Sequence, residues 1–516
     1  MSRWFWTFLL GTASALTASA AVKVNPLFTD SMVLQQNLEC PVWGTATPGE
    51  KISVSLSPSA PVKGDVAAIS ATADEKGNWM VKLPKRAASS DPSTLTIKGE
   101  NTITLKDVLI GEVWICSGQS NMEWPLNRAH NPAESVAAAN NPMLRLFTVQ
   151  RTTAFEPQTT VVGKWAACTP QTAGGFSAVA YYFGRDLQAA LKVPVGLIHT
   201  SWGGTPAQAW TSQEALKKHS ELKGYVVNYN VPEMMKKYQS DSAKYLDMLA
   251  AYIPKAKDAL EKSGTLLPLP AAPTMPVAGP GQASTLFNAM LAPLVPYGIA
   301  GAIWYQGESN AGQAYQYRTL FTAMIQDWRD QWGQGDFPFM LVQLAPFMKI
   351  VTEPTESNWA ELRESQWYAT KILKKVGMAV ITDVGEEFDI HPTKKEPVGA
   401  RLAIAARNIA YGEKIAPAGP EFKDVKFTEG QAIISFGNVG KGLVKKGEEL
   451  TGFTLAGEDK KFVNATAKIV GDTVVVTAEG IKEPKIVRFG WANFPVVNLW
   501  NEAGLPATPF RSDMPK

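Results

Sequence analysis

From residue 108 onward, apolar runs dense enough for strands buried on both faces alternate with segments of helical period. This alternation restricts the chain to an α/β fold with a mainly parallel sheet. Residues 108–110 and 113–116 form the first run, nearly unbroken. Further strand candidates lie at 144–149, 195–199, 300–305, 339–344 and 379–382, with helix candidates at 179–191, 315–332, 359–374 and 398–411. Parallel neighbours must be joined by crossovers, so helices are expected on both sides of the sheet.

Both flanks of this block read differently. Residues 22–105 hold short alternating stretches at 32–34, 52–56, 79–83 and 95–97, separated by turns such as Thr47-Pro48-Gly49 and Asp74-Glu75-Lys76-Gly77. They predict a small β-sandwich, or else an extended collar packed on the next domain. The β pattern returns after residue 416, at 432–436, 450–455, 473–478 and 485–489. A chain of 516 residues exceeds one core, and the expected organisation is a β domain at 21–106, an α/β domain at 107–415 and a β domain at 416–516. The alternation pauses at about 213–284, where a helical stretch precedes a Pro-, Ala- and Gly-rich one. This predicts an insertion, lying across the mouth of a site or forming a surface excursion.

The first twenty residues read as an export signal: Arg3, an apolar run at 4–16, then Ala18-Ser19-Ala20 as a cleavage site. The run is short for a bilayer span of about 20 residues, and no cysteine follows the cleavage site to carry lipid. The expectation is export to the periplasm or beyond without a membrane anchor. Net charge is only +3 with signs interspersed, which offers nucleic acid no basic surface. Cys40, Cys116 and Cys168 are too few for a disulfide scaffold, although they leave one bridge open. The four histidines, His130, His199, His219 and His391, form no cluster at metal-ligand spacing, so no zinc site is expected.

Chemistry concentrates where strand candidates end. The first runs into Ser117-Gly118-Gln119-Ser120-Asn121-Met122, at the carboxyl end of a parallel strand, where open α/β sheets place their sites. Gly118 permits a tight turn, and Ser120 would open a helix whose N–H groups and positive end face a developing oxyanion. A plain helix cap is the competing role for Ser120. The segment lacks the final glycine of the Gly-x-Ser-x-Gly elbow, which argues against an α/β-hydrolase. His391 stands in Asp389-Ile390-His391-Pro392, where Pro392 favours extended backbone. Asp389, two residues away, then projects to the same side and can orient the imidazole. Thr393-x-x-Glu396 reads as a capping box for the helix that follows. Two loops after strand candidates, Ser201-Trp202-Gly203-Gly204-Thr205 and Gln306-Gly307-Glu308-Ser309-Asn310, offer donors for an oxyanion: the N–H of Gly203 or Gly204 and the Asn310 side chain, beside the Ser120 N–H.

These four segments resemble the blocks of the SGNH hydrolases, and their wording is similar to that of the sialate O-acetylesterase family, related to the acetylxylan esterases. The likeness spans about residues 25–510 and includes Met32-Val33-Leu34-Gln35-Gln36 and Gly111-Glu112-Val113-Trp114. It implies a flavodoxin-like α/β/α core and a serine esterase needing neither metal nor cofactor. It also implies Ser120 as nucleophile, His391 as base, Asp389 as its acid, and Ser120, Gly203, Gly204 and Asn310 around the oxyanion. Many SGNH enzymes place the acid three residues before the histidine, where this chain has Phe388; Asp383, Glu386 and Glu387 are alternatives to Asp389. Gln119, Gln306, Glu308, Arg363 and Gln366 are candidates to touch substrate, as are aromatic neighbours such as Trp124 and Trp202. The implied substrate is an O-acetylated sialic acid or other glycan; xylan acetylesterase and inactive glycan binder remain the alternatives.

Overall fold

The computed structural model of the protein describes residues 21–58 and 67–514; the expected export signal at 1–20 lies outside the described residues. One strand organises the rest. β1 (Thr102–Gly118) is 17 residues long; its first part pairs antiparallel with Ser89–Lys98, and Val33–Gln35 runs parallel to residues 109–111. Its second part enters the parallel sheet. The pattern change near residue 107 is therefore a change of neighbours along one continuous strand. Asp107 sits there at φ +57°, its carboxylate held by the Arg145 guanidinium at 3.0 Å.

After β1 come a single helical turn, α1 (Ser120–Glu123), and the strands β2 (Asn141–Thr148) and β3 (Trp165–Cys168). Helix α2 (Ala178–Leu191) leads to β4 (Val195–Ser201), and the insertion carries α3 (Val231–Ser263). Then β5 (Gly301–Tyr305), α4 (Ala314–Trp332), β6 (Phe339–Val342), α5 (Asn358–Ile372), β7 (Val376–Ala379) and α6 (Glu396–Ile409) complete the domain. The sheet order is β3-β2-β4-β1-β5-β6-β7, parallel except for β3, an antiparallel edge strand whose sequence carries no alternating signal.

Successive strand residues point to opposite faces. Val113, Ile115, Ala302, Trp304, Phe339 and Leu341 pack with α4 and α5 on one side. Trp114, Cys116, Ile303, Tyr305, Met340 and Val342 pack with α2 and α6 on the other. Burial on both faces is why these runs read as unbroken hydrophobic sequence. The N-terminal β domain shares the first of these cores, whereas the C-terminal one has its own, with Ile434, Leu455, Val474 and Phe489 between two antiparallel sheets.

Helix α3 buries little more than Ala256. Cys40, Cys116 and Cys168 are buried free thiols, so the bridge left open by the sequence is not formed. Among the described residues, no helix is long and apolar enough to cross a membrane. No group there of three or more His, Cys, Asp or Glu could hold a metal ion.

Candidate active site

β1 is the strand at which the sheet order reverses: β2 and β4 lie to one side, β5 to β7 to the other. The carboxyl end of such a strand opens onto a crevice. At its last residue, Gly118, φ is +145°, and a Cβ would stand 2.1 Å from the Tyr305 carbonyl oxygen. Only glycine fits between the two strand ends. The Gln119 N–H then donates to that carbonyl at 3.0 Å, and the chain turns into α1.

α1 ends after four residues because Trp124 leaves helical geometry and Pro125 follows. The helix expected to open at Ser120 is thus a single turn. That turn still leaves the Ser120 N–H without an acceptor among the described residues.

Across the crevice, the loop after β7 presents His391. Its Nε2 lies 2.9 Å from Ser120 Oγ, joining residues 271 apart in sequence. Trp124 stacks on the imidazole, with ring centroids 5.4 Å apart and planes at 19°. Burial holds the His391 pKa below the usual 6.5; Asp389 opposes the shift, while Lys395 and Arg128 add to it. A base that stays neutral near pH 7 is what proton abstraction requires. Both side chains line a pocket of about 690 Å³, together with Trp124, Arg128, Arg151 and His199. His199 is neutral, its pKa pushed down to about 4 by burial, and its Nε2 meets Ser201 Oγ at 2.6 Å. A larger groove of about 900 Å³, between residues 350–354 and the C-terminal domain, has no serine, cysteine or histidine in its lining.

The acid position is the loosest part of the site. Asp389 Oδ1 accepts the His391 N–H at 2.8 Å and stands 3.4 Å from Nδ1, on a side chain that is 52% exposed. The three alternatives are engaged elsewhere: Asp383 with Arg401 at 2.6 and 2.8 Å, Glu386 with Thr393, and Glu387 with the Ile350 N–H. The bond from Thr393 to Glu386 also replaces the expected capping box. Lys395 is the N-cap residue of α6, and Glu396 pairs with Arg185 instead.

The donors expected around an oxyanion are only partly free. The Gly203 N–H donates to the Glu123 carboxylate at 2.6 Å, and that carboxylate also holds Arg151 at 2.7 Å. Asn310 lies back from the pocket; its Nδ2 donates to Gln208 at 3.0 Å, and its Oδ1 accepts from the Ala207 N–H and Gln306. Gly204 is an exposed turn residue at φ +74°.

Of the candidates for touching substrate, Trp124 lines the pocket, whereas none of the five polar ones does. Arg363 is fully buried and clamps the carbonyls of Leu344, Ala345, Ala492 and Asn493, tying the C-terminal domain to the sheet. Gln366 and Gln306 are spent on backbone and neighbouring side chains, including Tyr317. Gln119 accepts the Ser309 N–H, and Glu308 accepts from Asn121. A buried polar group without such partners would be costly, so these residues hold the two loops together. Glu123, Arg128 and Arg151 line the pocket without having been singled out from the sequence. For Arg151 a signal existed, since it follows the carboxyl end of β2.

Known proteins resemble this chain over most of its length. The profile of the carbohydrate esterase family described as sialic acid-specific acetylesterase matches residues 110–248 and 282–407. The chain is 30% identical over 416 residues to sialate O-acetylesterase of Rattus norvegicus, covering 74% of this chain and 72% of that one. For the Homo sapiens sialate O-acetylesterase the identity is 30% over 415 residues, covering 75% and 70%. The crystal structure of a carbohydrate acetylesterase from Xanthomonas citri superposes with a TM-score of 0.80 at 36% identity, covering 96% of this chain and 100% of that one.

Proposed function

The chain belongs to the sialic acid-specific acetylesterase family of carbohydrate esterases, and from that premise we propose that it removes O-acetyl groups from sialic acids, with Ser120 as nucleophile and His391 as general base. That it is a carboxylic ester hydrolase acting on O-acetylated carbohydrate follows from the family itself.

The observation that carries the residue assignment is the 2.9 Å contact between Ser120 Oγ and His391 Nε2 at the mouth of a pocket. Ser120 Oγ attacks the acetyl carbonyl as His391 Nε2 takes its proton. The same proton then passes to the departing sugar oxygen, leaving an acetyl-enzyme that water hydrolyses by the same route. The Ser120 N–H and, once the Glu123 carboxylate gives way, the Gly203 N–H stabilise the oxyanion. Asp389 steadies the imidazolium.

An anionic sugar is favoured over a neutral one by the charges around the pocket: Arg128 and Arg151 line it against Glu123. Export in the manner of a secreted enzyme is part of the same proposal and rests on residues 1–20.

The test is acetate release from O-acetylated sialic acids and from acetylated xylan, measured side by side for the purified protein and Ser120→Ala. Release from sialic acid that disappears in the variant supports the reading. Preference for xylan overturns the substrate, and equal rates in both proteins overturn the nucleophile.

A further inference from the structure

A lysine is buried directly behind the Ser120–His391 pair. Lys395 is 1% exposed, at the start of α6 and four residues after His391. Its ammonium donates to Asn121 Oδ1, and Asn121 Nδ2 donates both to Glu308 Oε1 at 2.6 Å and to the Ile390 carbonyl at 3.0 Å. These partners fix the orientation of the amide, because an ammonium can only donate and a carbonyl can only accept. The result is an ion pair relayed through one amide: cation on the oxygen side, carboxylate on the nitrogen side, each bond strengthened by charge. Burial lowers the Lys395 pKa to about 7, which still leaves the ammonium protonated in the more acidic range where His391 titrates, and burial raises the pKa of Glu308.

The relay reaches His391 by two routes. Asn121 follows the nucleophile, and its bond to Ile390 pins the residue before the base. Lys395 Nζ also lies 5.7 Å from the centroid of Trp124, the ring stacked on His391. The charged groups facing His391 are Asp389, Lys395 and Arg128; those facing Lys395 are Glu308, Glu386 and Asp389. The Glu123–Arg151 pair and neutral His199 line the same pocket.

We propose that Lys395 is a positioning residue for this active site: through Asn121 it anchors the loop that carries His391, and beside Trp124 its positive charge keeps the imidazole free to accept the serine proton. This rests on the reading of Ser120 and His391 as nucleophile and base.

Lys395→Met removes both charge and donor, whereas Lys395→Gln removes the charge and can still donate to Asn121. Each is made in the full chain. The readouts are the pH profile of kcat/KM on p-nitrophenyl acetate and the NMR titration of the His391 ring. With four histidines in the chain, His391→Asn assigns that signal by difference. The acid limb and the ring titration should move up together by on the order of one pH unit in both variants. The kcat value should fall about tenfold in the Met variant and less in the Gln variant, because a slightly misplaced base is costly. A folded variant whose limb and ring titration stay within about 0.2 unit of the wild type overturns the proposal. If Lys395→Met does not fold, Lys395→Gln decides. Failure of the underlying reading would look different: His391→Asn would itself retain activity.

Discussion

Removing the Asp389 carboxylate tests how much orientation the histidine needs. Where a carboxylate is buried and fixed on the imidazole, disrupting it costs about 10⁴ in kcat. Here the closer oxygen stands 3.4 Å from Nδ1, is shared with the His391 N–H, and belongs to a half-exposed side chain. A hydrogen bond to a charged group contributes roughly 1.5–3 kcal/mol when well formed. At this length and exposure about 1.4 kcal/mol is the appropriate scale, or about tenfold in kcat. The pH profile gives a second reading. Asp389 stabilises the imidazolium and so raises the His391 pKa. Without it the pKa falls, and the acid limb of kcat/KM moves to lower pH, the opposite of the shift expected for Lys395. Asp389→Ala removes the charge and the acceptor for the His391 N–H; Asp389→Asn keeps that acceptor, so a smaller loss in Asn measures the charge alone. Steady-state kinetics on p-nitrophenyl acetate from pH 5 to 9 would suffice. A loss of about 10³ or more would refute the loose geometry. Full kcat with an unmoved limb would show that Asp389 does not orient His391.

Further outcomes are open to measurement. Glu123→Gln exchanges a charged acceptor on the Gly203 N–H for a neutral one, a difference of about 1 kcal/mol. kcat/KM for acetyl esters should rise about fivefold, whereas a fall in kcat would show that Glu123 must stay in place during the reaction. Gly118→Ala places a Cβ 2.1 Å from a backbone oxygen at φ +145°, so activity and thermal midpoint should both be lost; a soluble variant with wild-type kcat contradicts the close approach. Arg363→Met removes one donor from each of four carbonyls, of which Ala345 keeps the Trp359 indole N–H and Asn493 keeps the Phe347 N–H. Limited proteolysis should then cut between the α/β and C-terminal domains faster than in wild type, and an unchanged pattern would mean the clamp is redundant.

The α/β architecture was legible because burial on both faces of a parallel strand leaves a plain local signature: the expected runs at 144–149, 195–199, 300–305 and 339–344 coincide with β2, β4, β5 and β6 to within three residues at each end. The last strand was harder: β7 is Val376–Ala379, three residues before the expected 379–382, because Val380 and Ile381 are buried beyond the ladder. Ser120 and His391 were legible for a related reason, since each lies in a distinctive segment beyond the end of a strand. The roles of Arg363, Gln366 and Gln306 were not. A polar side chain in a loop or on a helix reads the same whether it faces substrate or saturates buried carbonyls, and only the packing of α5 against the sheet separates the two.

By itself, then, the sequence determined the order and type of the main elements, because the periodicity of burial is written residue by residue. It also supplied a serine and a histidine suited to acyl transfer. Tertiary structure decided which groups meet. It carried one strand through two sheets, shortened the turn after Ser120 to four residues, and set the Glu123 carboxylate against the Gly203 N–H. It also buried Lys395 behind the base, with Asn121 and Glu308 drawn from segments 274 and 87 positions away in the chain. Charges and donors act over a few ångströms of space, and separation along the chain says little about which of them will share it.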